Sequence, residues 1–99
     1  MEIIKRAKYA EKLLKFEEED ILTSQEVESC VKTIQDRIEK FNSARSDEKK
    51  ILQKDLDNGE EIIKTNSNKK FSIRYFYNET ENKLEIIDIL EYKKKRVRS

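Results

Sequence analysis

Arg74 is the residue whose type and position best fit phosphate chemistry. It lies within the alternating segment FSIRYFY, residues 71–77, among Phe, Ile and Tyr side chains. A guanidinium there must be paired or must line a site, because a buried and isolated charge is costly. Its planar fork of N–H donors fits phosphate oxygens. Three interpretations stay open: a salt bridge to Glu85 or Asp88, simple exposure on an open sheet face, and phosphate binding.

A cluster of cations ends the chain, with Tyr92 directly before it. The cluster comprises Lys93, Lys94, Lys95, Arg96 and Arg98. Basic and aromatic groups together can neutralise a nucleic-acid backbone and stack a base, so we predict RNA contacts for this tail and for Tyr77. A solvated tail, and tyrosines that only pack the sheet, are the alternatives.

The charge is distributed unevenly along the chain. Residues 61–99 carry ten basic and six acidic side chains, a net charge of +4, whereas residues 1–60 carry 12 basic and 15 acidic ones, a net charge of −3. Only the C-terminal part therefore suits nucleic acid. With 99 residues we expect a single domain over residues 1–99, with a basic tail at 93–99.

The composition argues against several kinds of site. The chain has one cysteine, Cys30, and no histidine, so we expect no disulfide, no metal and no cofactor. No segment approaches the ~20 apolar residues that span a bilayer, so we expect no membrane association. We predict a cytoplasmic protein, with Cys30 as a buried, inert thiol.

The first half of the chain reads as a strand followed by helices. Two adjacent isoleucines in MEIIKRA favour a short strand, and apolar spacings of three and four predict a helix over residues 8–19. Thr23 and Glu26 form a capping-box pattern that begins a second helix. Its apolar stripe indicates a core-facing side, formed by Val27, Val31, Ile34, Ile38 and Phe41. A third helix starts at Ser46 and ends at Asn58-Gly59.

After Gly59 the apolar period changes from helical to two, which is typical of strands. Residues 71–77 alternate between two faces, and residues 84–92 have isoleucines on both faces, which suits a strand covered on both sides. We therefore predict an α+β fold, with an N-terminal strand and two to three helices packed on an antiparallel sheet that ends in a three-stranded meander.

Three short motifs follow one another in the second half of the chain. Residues 54–64, KDLDNGEEIIK, have a central glycine and a closing cation, Lys64. Residues 73–77, IRYFY, contain an arginine followed by two apolar residues and a tyrosine, and residues 90–95, LEYKKK, place an aromatic residue before lysines. In this order the three motifs resemble segments of the RelE/ParE toxin superfamily, and its HigB-like branch most.

This resemblance implies a toxin that cleaves mRNA on the ribosome without a metal, and that a cognate antitoxin neutralises. It implies that Arg74 stabilises the charged transition state, that Lys64 orients the phosphate, and that Lys94 or Lys95 adds positive charge. Tyr92 would stack on a base or help proton transfer. Glu91 stands where several relatives carry histidine, and would act as the base only with a raised pKa.

Two other functions stay open. The superfamily also contains gyrase poisons without the nuclease residues, so a protein-binding inhibitor on the same fold, acting on gyrase or on another host enzyme, is the alternative. A non-catalytic nucleic-acid-binding protein is the third reading, and steep weakening of its binding by salt would distinguish it.

Overall fold

The computed structural model describes residues 1–65 and 69–92, with only the backbone of Tyr92. Within these residues the chain is an α+β protein with three helices and a four-stranded sheet. In chain order the elements are β1 (Glu2–Lys5), α1 (Ala7–Glu18), α2 (Ser24–Ser43), α3 (Ser46–Asn58), β2 (Glu60–Ile63), β3 (Lys70–Asn78) and β4 (Lys83–Tyr92). No helix in this part of the chain is both long and apolar enough to cross a membrane.

The predicted capping box begins α2. The Thr23 hydroxyl accepts a hydrogen bond from the Glu26 backbone N–H at 3.2 Å, and the Glu26 carboxylate accepts one from the Thr23 backbone N–H at 3.0 Å. Two of the N–H groups that a helix start leaves without partners are thereby satisfied. The apolar stripe of α2 faces the core as predicted, since all its members except the half-buried Val31 are buried.

Gly59 ends α3, as predicted, and starts the sheet. Its φ of +62° is left-handed, and a Cβ there would lie 2.6 Å from the Tyr75 carbonyl oxygen. The Gly59 carbonyl also accepts a hydrogen bond from the Tyr75 N–H at 2.8 Å. The glycine is therefore needed both for its backbone angle and for the close approach of β3.

The sheet has the order β1-β4-β3-β2. The predicted meander is confirmed, because β2 pairs antiparallel with β3 and β3 antiparallel with β4. The prediction of a wholly antiparallel sheet is wrong, since β1 pairs parallel with β4. The connection between them contains all three helices and two strands, and a long connection of this kind is what allows two strands to lie parallel.

One face of the sheet packs on the helices. Phe71, Ile73 and Tyr75 of β3 are buried on this face, and the Phe71 ring meets the Phe16 ring of α1 edge to face at 5.2 Å. By alternation, Ser72, Arg74 and Phe76 belong to the opposite face, called here the open face.

A bulge explains the isoleucines on both faces of β4. Arg74 is in register with Asp88 and Tyr75 with Ile86, so Ile87 is the extra residue. Its side chain is 40% exposed. The prediction that β4 is covered on both sides is therefore wrong at Ile87, the inserted residue, although Asp88 is buried and Leu90 is half-buried on the face that they share with Arg74.

Candidate functional site

Arg74 lies on the open face with its side chain exposed. Within the described part of the chain it forms no hydrogen bond or ion pair, and both carboxylates that the sequence offered as partners are engaged elsewhere. Glu85 accepts a hydrogen bond from Arg6 at 2.7 Å, and Asp88 contacts Lys12 at 3.0 Å. Of the three interpretations, an internal salt bridge is thus ruled out for these two carboxylates. The guanidinium is available to an anion from outside.

Asp88 forms a cluster with two lysines of α1. Its carboxylate lies 3.0 Å from Lys12 Nζ and 3.4 Å from Lys8 Nζ, and it accepts a hydrogen bond from the Ile89 N–H at 2.8 Å. Burial by itself would raise the pKa of Asp88, but the Lys12 and Ile89 hydrogen bonds and the two ammonium charges outweigh it and lower the pKa. Asp88 is therefore an anchor between α1 and β4.

The backbone next to Arg74 is constrained on the side of Tyr75. The bulge begins directly after it, between Arg74 and Tyr75. Tyr75 also donates its N–H to the Gly59 carbonyl, and its side chain is buried. Bulges often occur beside functional sites, where they turn a side chain. Arg74 is thus an exposed group on a constrained backbone.

Lys64 is exposed and follows the last residue of β2. Because Glu60 is in register with Arg74, Lys64 lies four residues further along the strand. At about 3.3 Å per residue this is a separation of roughly 13 Å along the sheet. The two cations that were assigned to one phosphate are therefore not neighbours within one chain.

Tyr77 and Glu91 lie on the helix-facing side of the sheet. The Tyr77 hydroxyl is 3.1 Å from the Asn42 side-chain nitrogen of α2, and it donates to the Asn82 oxygen at 3.0 Å. Glu91 is in register with Phe71, and its carboxylate lies 3.9 Å from Lys69 Nζ. The structure does not bring either side chain next to Arg74, so their roles in RNA binding and catalysis stay predictions without a geometric link to it.

The remaining predicted site residues fall outside the described side chains. This applies to Tyr92, of which only the backbone is described, and to Lys93, Lys94, Lys95, Arg96 and Arg98. Their predicted roles stay as the sequence gives them.

Two carboxylates and two exposed apolar side chains lie near Arg74 on its face of the sheet, and the carboxylates, Glu60 and Asp88, stand in register with it. Phe76, two residues along β3, is 53% exposed, and Ile62 of β2 is 56% exposed. Ser72, two residues before Arg74, is fully buried, and its hydroxyl has no hydrogen-bond partner in the described structure. Exposed apolar side chains grouped on one face are typical of surfaces that bind other molecules. Sequence alternation placed Phe76 and Arg74 on one face, but it did not show that both side chains are exposed.

The helix-facing side holds inert groups. Burial raises the pKa of the Cys30 thiol to about 12, with a smaller contribution from the Glu61 carboxylate. Burial likewise raises the pKa of the Tyr9 hydroxyl to about 12. A thiol with such a pKa is not a nucleophile near neutral pH. Residues 1–65 and 69–92 contain no group of three or more candidate ligands that could hold a metal ion.

Comparison of the chain with protein-family profiles, curated proteins and solved structures finds no match.

Proposed function

We propose that this protein is a RelE-like toxin that cleaves mRNA on the ribosome in the cytoplasm, with Arg74 as the group that binds the scissile phosphate. The observation that supports it is the state of Arg74, an exposed guanidinium whose two candidate internal partners are held by Arg6 and by the lysines of α1. A guanidinium that makes no ion pair within residues 1–65 and 69–91 can bind an external anion through its N–H donors.

The proposed reaction needs no metal. The ribose 2′-oxygen attacks the adjacent phosphorus, the bond from phosphorus to the 5′ oxygen breaks, and the products are a 2′,3′-cyclic phosphate and a 5′-hydroxyl. One proton leaves the 2′-hydroxyl and one reaches the 5′ oxygen. Arg74 stabilises the additional negative charge on the phosphate, which is where a fixed cation has most effect on the rate.

In this proposal the C-terminal segment assists the reaction. Tyr92, the last residue of β4, helps proton transfer, and Lys94 or Lys95, which follow it in sequence, adds positive charge. Glu91 is not used as the base beside Arg74, because it is in register with Phe71 on the other side of the sheet. A neutralising antitoxin with an acidic segment would cover Arg74 and these lysines.

The test is induced expression of the wild type and of Arg74→Ala, with mapping of new mRNA 5′ ends. We expect wild-type expression to stop growth and to produce codon-phased ends, and Arg74→Ala to reduce cleavage by about 100-fold or more. Arg45→Ala is the matched control, because Arg45 is exposed and lies before α3, and it should cleave like the wild type. Growth arrest without new 5′ ends would rule out this activity.

A second candidate is a protein-binding inhibitor that uses the same face. The exposed Phe76 and Ile62 favour it, because apolar side chains add more to a protein interface than to an RNA site. Under this candidate, Phe76→Ser would abolish toxicity and partner capture together. Loss of toxicity in Arg74→Ala with intact partner binding would instead exclude it.

A further inference from the structure

The edge of the sheet formed by β2 has no neighbouring strand within residues 1–65 and 69–92. In this part of the chain β2 is the last strand in the sheet order and pairs with β3. Gly59 and Tyr75 form a hydrogen-bonded pair of this ladder, because the Tyr75 N–H donates to the Gly59 carbonyl. Because such pairs alternate in an antiparallel ladder, Glu61 and Ile63 direct their backbone groups towards β3. Glu60 and Ile62 therefore direct theirs away from it, towards the edge, and the Ile62 carbonyl also lies 3.9 Å from Cys30 Sγ of α2.

The side chains along this edge are complementary in charge to those of a second, antiparallel copy of the same strand. Ile62 is exposed in the centre, with Glu60 two positions before it and Lys64 two positions after it. If a second copy adds to the edge in antiparallel orientation about Ile62, each Glu60 lies opposite a Lys64 and Ile62 lies opposite itself. Opposite charges in directly facing positions stabilise such a pair. A register centred on Glu60 or Glu61 would instead place two carboxylates face to face.

We propose that two copies of this chain associate through their β2 strands, in the register centred on Ile62, to form one continuous eight-stranded sheet. The ion pairs of the residues along β2 are consistent with this pairing. Within the described residues, Glu60 and Lys64 have no ion pair of their own, whereas Glu61 on the helix-facing side is held by Arg37 at 3.2 Å. The shared strand is short, so the dimer is weak and depends on concentration.

The dimer would also change the surroundings of Arg74. Glu60 is in register with Arg74, so Lys64 of the second copy would lie two strand spacings from Arg74, at roughly 10 Å. This is closer than the roughly 13 Å along the sheet within one chain. The consequence for catalysis rests on the proposed RNA cleavage. The dimer itself does not, and the experiment below contains no RNA.

Sedimentation equilibrium of the full chain, from about 10 µM to about 1 mM, is the test. We expect the wild-type mass to rise with concentration from 11.9 kDa towards twice that value. Glu60→Lys and Lys64→Glu each turn both symmetric ion pairs into repulsions, and each should weaken the dimer about tenfold. The double variant Glu60→Lys/Lys64→Glu restores both pairs and should return close to the wild-type dissociation constant. Glu39→Lys, an equal charge change on exposed α2 surface, is the control and should have no effect.

Hydrogen exchange gives a readout at the centre of the interface. The Ile62 N–H, which points to the open edge in the single chain, should exchange more slowly as the concentration rises. A wild type that stays at 11.9 kDa throughout, or an Ile62 N–H whose exchange does not depend on concentration, would overturn the proposal. A double variant that remains as weak as the single ones would overturn the register.

Discussion

Replacement of Asp88 by asparagine tests the anchor between α1 and β4. The carboxylate is buried, with 8% of the side chain exposed, and it meets Lys12 Nζ at 3.0 Å and Lys8 Nζ at 3.4 Å. Asparagine keeps an oxygen for the Ile89 N–H but loses the charge. The Lys12 contact is a hydrogen bond to a charged group, worth about 1.5 to 3 kcal/mol, while solvent screens the more exposed Lys8 pair. We expect a loss of about 2 kcal/mol in the free energy of unfolding at pH 7.

The matched control is Glu85→Gln. It removes the same charge from the same strand, but the Arg6–Glu85 pair is more exposed, so the expected loss is about 1 kcal/mol or less. Urea denaturation followed by circular dichroism measures both. A loss for Asp88→Asn no larger than that for Glu85→Gln would contradict the interpretation of Asp88 as a buried anchor.

The pH dependence gives a second check on the same variant. The pKa of Asp88 is lowered in the folded protein, so the unfolded chain takes up the proton first as the pH falls. The contribution of Asp88 is therefore complete above the unfolded value of about 3.9, and it is lost as the pH falls through the folded pKa. The difference in stability between wild type and Asp88→Asn should shrink below about pH 4. A difference that stays constant from pH 7 to pH 3 would refute this reasoning.

Three further substitutions test the backbone and the buried polar groups by the same denaturation assay. Gly59→Ala should cost about 2 kcal/mol or more, because alanine is strained at a φ of +62° and its Cβ would meet the Tyr75 carbonyl oxygen; an unchanged midpoint would contradict this. Thr23→Ala should cost about 1 kcal/mol by removing the cap hydrogen bond to the Glu26 N–H, and a stability equal to the wild type would show that the cap contributes nothing. Ser72→Ala should be neutral or stabilising by up to about 1 kcal/mol, because it removes a buried hydroxyl without a partner. A clear loss of stability for Ser72→Ala would show that the hydroxyl is in fact bonded.

The parts of the fold that were predictable are those that local sequence determines. The capping box of α2 involves groups three residues apart, and the stripe of α2 repeats within each two turns of helix. The turn at Gly59 follows from one residue type. Each of these signals is complete within a short window of sequence, so α2, the end of α3 and the alternation of β3 were predicted correctly.

The errors concern pairings between distant residues. The direction of β1 depends on its partner, and that partner, β4, begins about 80 residues later in the chain. The exposed Ile87 looked like a core residue because a bulge cannot be distinguished from a buried strand by hydrophobicity alone. In both cases the residue types were correct, but the tertiary pairing decided their environment.

Whether Arg74 has a salt-bridge partner on β4 also depends on pairings between residues that are distant in sequence. On β3 and β4 alone, Arg74 stands in register with Asp88, and a cross-strand salt bridge would be the simplest expectation. That bridge does not form, because Asp88 is paired with Lys8 and Lys12. The other nearby carboxylate, Glu85, is paired with Arg6. The charges of α1 thus determine the chemistry of a strand some 60 residues away in sequence. If Lys8 and Lys12 were removed, Asp88 would be left for Arg74 to pair with, and an anion from outside would have to compete with a carboxylate that is part of the sheet.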